Sequence, residues 1–299
     1  MQNHPLFGQV ITAMATPFLS SGELDIDGAV KLARYLAAHG SDALAITGTT
    51  GEVSTLDDNE RLSLYEAVSE AVTIPVMAGS TSNDTRHSVE LTKAAAKTKI
   101  SGILAVAPYY SRPNQSGIKE HFMRIAEAAG GLEVIIYDIP VRTGRKVSTA
   151  TLLDLAWGVK NITCLKDAAQ DVAETAKLLK AAPEGFFCYS GDDALTLALM
   201  SVGAVGVISV ASHWCGEIIK KMIEEFAAGA IDKAISLNRI LIPSYDFETG
   251  EAHPNPLPTK AMLEVMGLPA GPCRLPLGAY EPLLLDAAKN VLEDLQKVG

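Results

Sequence analysis

No uninterrupted apolar run in this chain reaches the roughly 18–20 residues that a membrane-crossing helix needs. Nor does MQNHPLFG begin with a basic region followed by an apolar core, so no signal peptide is expected. Cysteine is scarce: Cys164, Cys188, Cys215 and Cys273 are widely spaced and form no CxxC pair, which excludes the usual zinc and redox spacings. Cys164 and Cys188 lie in apolar runs, where cysteine serves as a small hydrophobe. The expectation is a reducing compartment, the cytoplasm. Positive charge is in deficit, with 25 Lys and Arg against 35 Asp and Glu and a net charge of -10. That argues against a nucleic-acid partner, which needs basic surface to neutralise phosphates. Histidine is also thin. Of His4, His39, His87, His121, His213 and His253, only His213 falls near the end of an apolar run, so no metal site is expected. There is no GxSxG elbow, and Ala15-Thr16-Pro17-Phe18 follows the first apolar run where a dinucleotide fold carries its glycine-rich loop.

What the chain does have is a repeat. Short apolar runs occur at Val10–Met14, Ala43–Ile46, Ile74–Ala78, Ile103–Ala107, Val134–Tyr137, Ile162–Leu165, Phe186–Tyr189 and Val205–Val210. Most start about 30 residues apart, the length of a βα unit. Stretches of helical periodicity lie between them. Asp57 with Glu60 reads as a capping box, Asn83-Asp84 and Ser116 precede further helices, and Ser148 and Asp171 open others. Eight such units predict a closed (β/α)8 TIM barrel over residues 1–225. From about Phe226 the strands stop, and residues 226–299 read as a C-terminal helical appendage. Its link, His253-Pro254-Asn255-Pro256-Leu257-Pro258, looks too proline-rich for regular structure.

Barrel enzymes place their chemistry at the C-terminal ends of the strands. The sixth run ends on Lys166, in Asn161-Ile162-Thr163-Cys164-Leu165-Lys166-Asp167-Ala168. Alone, such a lysine is more often one that snorkels to water; a desolvated one can attack a carbonyl and form a Schiff base. The second run ends in Thr47-Gly48-Thr49-Thr50-Gly51-Glu52, small residues whose amides and hydroxyls suit an anion such as a carboxylate, though a plain flexible loop reads the same way. The fourth ends in Pro108-Tyr109-Tyr110, which taken alone is an aromatic oligomer contact. The fifth ends in Tyr137-Asp138-Ile139-Pro140-Val141-Arg142-Thr143-Gly144, offering a phenol and a planar guanidinium. Ser190-Gly191-Asp192-Asp193 after the seventh doubles as a helix cap.

Taken together and in order, GTTGE at 48–52, PYYSRPNQSG at 108–117, YDIPVRTG at 137–144, LKDA at 165–168, SGDD at 190–193, GVISV at 206–210 and NPLPTKAMLEVMGL at 255–268 resemble the dihydrodipicolinate synthase / N-acetylneuraminate lyase family of class I aldolases. The resemblance implies a barrel with a C-terminal helical domain. It makes Lys166 the Schiff-base nucleophile toward pyruvate and Tyr137 the proton-transfer group. Thr49 and Tyr110 complete a relay with Tyr137, Tyr110 coming from a neighbouring subunit of a homotetramer. Thr50 joins Thr49 on the pyruvate carboxylate, Gly191 and the Ile208 carbonyl line the site, and Arg142 grips the carboxylate of a second substrate. No cofactor is implied beyond the covalent imine on Lys166. A free lysine has a pKa of about 10.4, so burial must favour the neutral amine for attack at neutral pH.

Arg142 points to the synthase branch, which condenses pyruvate with L-aspartate 4-semialdehyde toward diaminopimelate and lysine. The alternatives are another pyruvate-dependent aldolase or 2-keto-3-deoxy sugar acid lyase or dehydratase, and, from another class, a silent paralogue that binds a small acid. The chain departs from the family at Asp138, where Asn is usual, at Gln170, where Gly is usual, at Val53 and at His213-Trp214. Lysine-sensitive members bind L-lysine through the segments that here carry Val53, Ser54, Asp58 and Arg61, and Asn83 and His87. Val53 cannot hydrogen-bond through its side chain and Arg61 repels an ammonium, so feedback is expected to be weak or absent.

Overall fold

Side-chain caps set where the helices begin. In the computed structural model, which describes residues 5–297, Asp57 and Glu60 form the expected capping box at the start of the helix Asp58–Ala71. Asp84, Ser148 and Asp171 cap Thr85–Ala95, Thr149–Gly158 and Val172–Ala181. Each satisfies an amide that the helix itself leaves open. The helix Gln115–Ala128 starts ahead of the expected Ser116, because the Asn114 carboxamide accepts from the Gly117 amide. The beginning of MQNHPLFG, His4 included, lies outside the described residues.

The strands are β1 (Val10–Ala13), β2 (Ala43–Ile46), β3 (Val76–Ala78), β4 (Gly102–Val106), β5 (Glu133–Asp138), β6 (Ile162–Asp167), β7 (Phe187–Ser190) and β8 (Gly206–Ser209). They neighbour one another in chain order and close into a parallel barrel. Nearly all their residues are buried, as strands covered on both faces must be. All four cysteines are buried free thiols, two of them within β6 and β7. Beyond β8 the described chain is helical: Ser212–Ala227, Ile231–Phe247, Leu257–Val265 and Pro282–Gln296. The proline-rich link is irregular only up to Pro256. Leu257 and Pro258 already form the first helical turn, where proline lacks no bond that the helix would make. No helix among the described residues is long and apolar enough to cross a membrane.

Two compact units divide the chain. One holds Pro75–Ile208, with β3 to β7 and all but the last residue of β8, together with the described chain up to Gln9. The other holds Val10–Ile74 and everything from Ser209 onward. Within the second, Trp214 stands edge-on to Phe247 and its indole N–H donates to the Ser244 hydroxyl at 3.0 Å. Leu257, Ala261, Cys273 and Leu284 form a small apolar core there. That core makes the last two helices part of a packed unit.

Candidate active site

Lys166 is the fifth residue of β6 and only 5% exposed. Its register partner on β5 is Tyr137, also 5% exposed, and the amine nitrogen stands 4.2 Å from the centre of the phenol ring. Parallel pairing puts the two side chains on the same face of adjacent strands. On the other flank, Gly191 follows β7. A methyl group added there would lie 3.1 Å from the Lys166 Cγ and 2.9 Å from the Ala168 Cβ, so only glycine leaves the lysine stem its place. Ile208 is buried in β8.

The next residues along, Asp138 and Asp167, are register partners too and face the opposite side of the sheet. Asp138 is buried and accepts from the Val147 amide at 3.1 Å. Asp167 accepts from the Ala169 amide at 2.9 Å and from the Thr175 hydroxyl. Burial pushes the Asp138 carboxyl up to about 7, and the Asp167 charge pushes the same way. The sequence shows Asp138 as a departure but not its burial, because the strand runs one residue past the apolar run.

Tyr110 and Arg142 are exposed, Tyr110 at 89%. Arg142 sits on the single turn Pro140–Thr143. The Arg112 guanidinium donates to the Gly144 carbonyl at 2.7 Å, and Arg145 donates back to the Arg112 carbonyl at 3.3 Å, which ties the segments after β4 and β5 together.

Thr49 and Thr50 lie in the other unit, on the loop that follows β2. This loop is held at every corner. Thr47 and Glu52 both adopt φ of 53°, a left-handed conformation that costs about 1–2 kcal/mol outside glycine. Thr47 donates to the Tyr65 hydroxyl at 3.2 Å and Thr16 donates to the Gly51 carbonyl at 2.7 Å. A Cβ on Gly51 would come within 3.0 Å of the Thr47 nitrogen. The Asn255 amide donates to the Thr50 hydroxyl at 2.9 Å. The Glu52 carboxylate, fully buried, meets the equally buried Lys260 ammonium at 2.6 Å and accepts from the Arg274 amide at 2.8 Å. Sequence reasoning missed Asn255 and the Glu52–Lys260 pair. The signal was present: a lysine inside the apolar stretch Leu257–Val265 needs a buried anion.

The remaining departures have structural places. His213 is buried, accepting at Nε2 from the Ala15 amide at 3.0 Å while Nδ1 lies 2.7 Å from the Val210 carbonyl. Those two contacts fix the neutral tautomer with its proton on Nδ1, and burial lowers the ring's pKa to about 4. Gln170 adopts φ of 59°, which is why glycine is usual there, and its amide donates to Asp192 at 2.9 Å. Arg61 is buried, its guanidinium donating to the Val53 carbonyl at 2.7 Å. Among the described residues, no three His, Cys, Asp or Glu side chains gather as metal ligands.

The model of the dihydrodipicolinate synthetase family matches residues 6–296. The chain belongs to this family. Among its family relatives, the 4-hydroxy-tetrahydrodipicolinate synthase of Moorella thermoacetica is 46% identical over 91% of this chain and 92% of its own. That of Microcystis aeruginosa is 43% identical over 99% of both. A crystal structure of the dihydrodipicolinate synthase from Cyanidioschyzon merolae with lysine bound superposes with a TM-score of 0.95 at 40% identity, covering 98% of this chain and 99% of that one. The dihydrodipicolinate synthetase family is a family of lyases, and this member keeps its barrel and its helical C-terminal segment.

Proposed function

We propose that this chain is a 4-hydroxy-tetrahydrodipicolinate synthase that condenses pyruvate with L-aspartate 4-semialdehyde through an imine on Lys166. The contact between the Lys166 amine and the Tyr137 ring carries the reading. The neutral amine attacks the pyruvate carbonyl carbon, and water leaves as the imine forms. The imine draws electrons from the methyl carbon, which loses a proton to give an enamine. The enamine carbon attacks the aldehyde. The aldehyde substrate's own amine then displaces Lys166 from the imine carbon, closing the ring and freeing the lysine. Tyr137, seated against the amine, moves protons at the imine carbon and the substrate oxygen without bulk water. Thr49 and Tyr110 extend that relay. Thr50 holds the pyruvate carboxylate with Thr49, Gly191 and Ile208 line the site, and Arg142, exposed on its short turn, meets the carboxylate of the aldehyde. The reaction needs no further cofactor, and the enzyme works in the cytoplasm as a homotetramer.

Borohydride in the presence of pyruvate should trap one adduct per chain on the Lys166 peptide, and Lys166→Ala should abolish it. An adduct elsewhere removes the reading. Arg142→Ala should lower kcat/KM for the aldehyde about 100-fold while pyruvate is still trapped, the loss of a charge-assisted bidentate contact worth about 3 kcal/mol. An unchanged kcat/KM favours a sugar-acid substrate. The buried Arg61 beside Val53 also keeps the expectation of weak feedback. L-lysine titrated against initial rate should not reach half-inhibition below about 1 mM.

A further inference from the structure

Thr50 is 2% exposed, and its hydroxyl oxygen accepts from the Asn255 carboxamide nitrogen at 2.9 Å across more than 200 residues of sequence. Asn255 is itself buried. Its carboxamide oxygen accepts from the hydroxyl of Thr259, which is 0% exposed, at 3.1 Å. The three groups form a chain of one-way donors: Thr259 to Asn255, Asn255 to Thr50. A hydroxyl has one proton and accepts through its lone pairs. Once a lone pair of Thr50 is taken by an N–H, its own proton must point elsewhere, as a donor. With the carboxamide turned over, its oxygen would instead face Thr50 and draw that proton away from any ligand. The Thr259 hydroxyl, donating to the carboxamide oxygen, holds that oxygen on the side away from Thr50, and the turned-over amide would need this hydroxyl to rotate and accept instead.

We infer that Asn255 is a positioning residue that presents the Thr50 hydroxyl as a hydrogen-bond donor to the carboxylate of the 2-oxo acid, with Thr259 setting the orientation of the Asn255 amide. This rests on the proposed role of Thr50. The C-terminal helix Leu257–Val265 then does more than cover the loop after β2: Lys260 anchors the loop at Glu52, and Thr259 sets the direction of its hydrogen bonds. A ketone without a carboxylate gains nothing from the arrangement, so it favours 2-oxo acids over simple ketones.

The test is a double-mutant cycle on the full-length enzyme, reading half-saturation by pyruvate in borohydride trapping and in steady state, with the aldehyde KM as control. Thr50→Val should raise the pyruvate concentration for half-saturation about tenfold or more, as befits loss of a hydrogen bond to a charged group. Asn255→Ala should raise it by a similar factor and leave the aldehyde KM within about twofold. In the Thr50→Val background, Asn255→Ala should add nothing, since no hydroxyl is left to aim. A merely structural Asn255 would add its effect in both backgrounds, and that result, or no effect of Asn255→Ala alone, overturns the inference while leaving the Lys166 chemistry standing. If Thr50→Val does not change half-saturation, the carboxylate role of Thr50 fails, and this inference with it. Should Asn255→Ala not fold, Thr259→Val, which keeps the shape and removes only the hydroxyl, carries the same cycle with an expected rise of about threefold; additivity there also overturns the inference.

Discussion

Behind Lys166 and Tyr137 lies a buried carboxyl that feels pH. Tyr137 and Lys166 share one face of β5 and β6, and Asp138 and Asp167 share the other. Burial raises the Asp138 carboxyl from 3.8 to about 7, so the native chain holds its proton more tightly than the unfolded chain does. The sign follows from linkage: stability from this group is complete below about pH 4 and is lost as pH rises through about 7. About three units correspond to about 4 kcal/mol. Asparagine keeps an acceptor for the Val147 amide and cannot ionise. Asp138→Asn should therefore raise stability at pH 8 by up to about that amount and flatten the pH dependence between 5 and 8. Urea midpoints of both proteins across that range decide it, and parallel slopes would show that Asp138 carries no such load. The position of Lys166 near the end of β6 was legible from its apolar run, but its burial was not, because alone such a lysine reads as one that snorkels to water. The burial of Asp138 was not, since a pattern of apolar residues cannot reveal that the strand continues into acids.

The loop after β2 depends on the helix Leu257–Val265 as much as on its own residues. Glu52 in its left-handed conformation is held by Lys260, whose ammonium also donates to the Pro272 carbonyl at 2.8 Å and stands 4.2 Å over the Phe18 ring. Burial lowers the Lys260 pKa, and the Glu52 charge opposes that shift. Both charges are out of water, so removing one leaves the other uncompensated at about 3–5 kcal/mol. Lys260→Met should cost about that much. Lys260→Met combined with Glu52→Gln should recover a large part of it, because the pair itself contributes little net. Chemical denaturation of the parent, the two single variants and the double variant measures this, and equal losses in Lys260→Met and the double variant would show that the charge is not the cause. At this scale the sequence was readable wherever a rule is local. Caps at Asp57, Asp84, Ser148 and Asp171 are read from neighbours in the chain. The Glu52–Lys260 pair joins residues 208 positions apart, and no local period encodes it.

For the whole molecule, the barrel was legible because eight apolar runs at a βα spacing allow few other solutions, whereas no local pattern says what, if anything, covers an exposed side chain. Tyr110 shows why. An aromatic that is 89% exposed, at φ of 69° and on the segment that Arg112 and Arg145 tie to the residues after β5, is a costly way to face water. Val141, on the turn that carries Arg142, is 85% exposed as well. Two such exposed side chains beside the proposed site would suit a surface for a second copy of the chain. If Tyr110 serves the site of a neighbouring subunit while Tyr137 serves its own, each subunit that lacks one phenol can still complete a site with a partner that lacks the other. Tyr110→Phe and Tyr137→Phe should each lose most activity alone. Mixed, dissociated and reassembled, they should regain up to about a quarter of the parent rate, since in a random mixture about one site in four draws an intact Tyr137 from its own chain and an intact Tyr110 from its neighbour. Mixing without dissociation should recover nothing. An inactive reassembled mixture would place both phenols in the site of one chain and take the interface argument away.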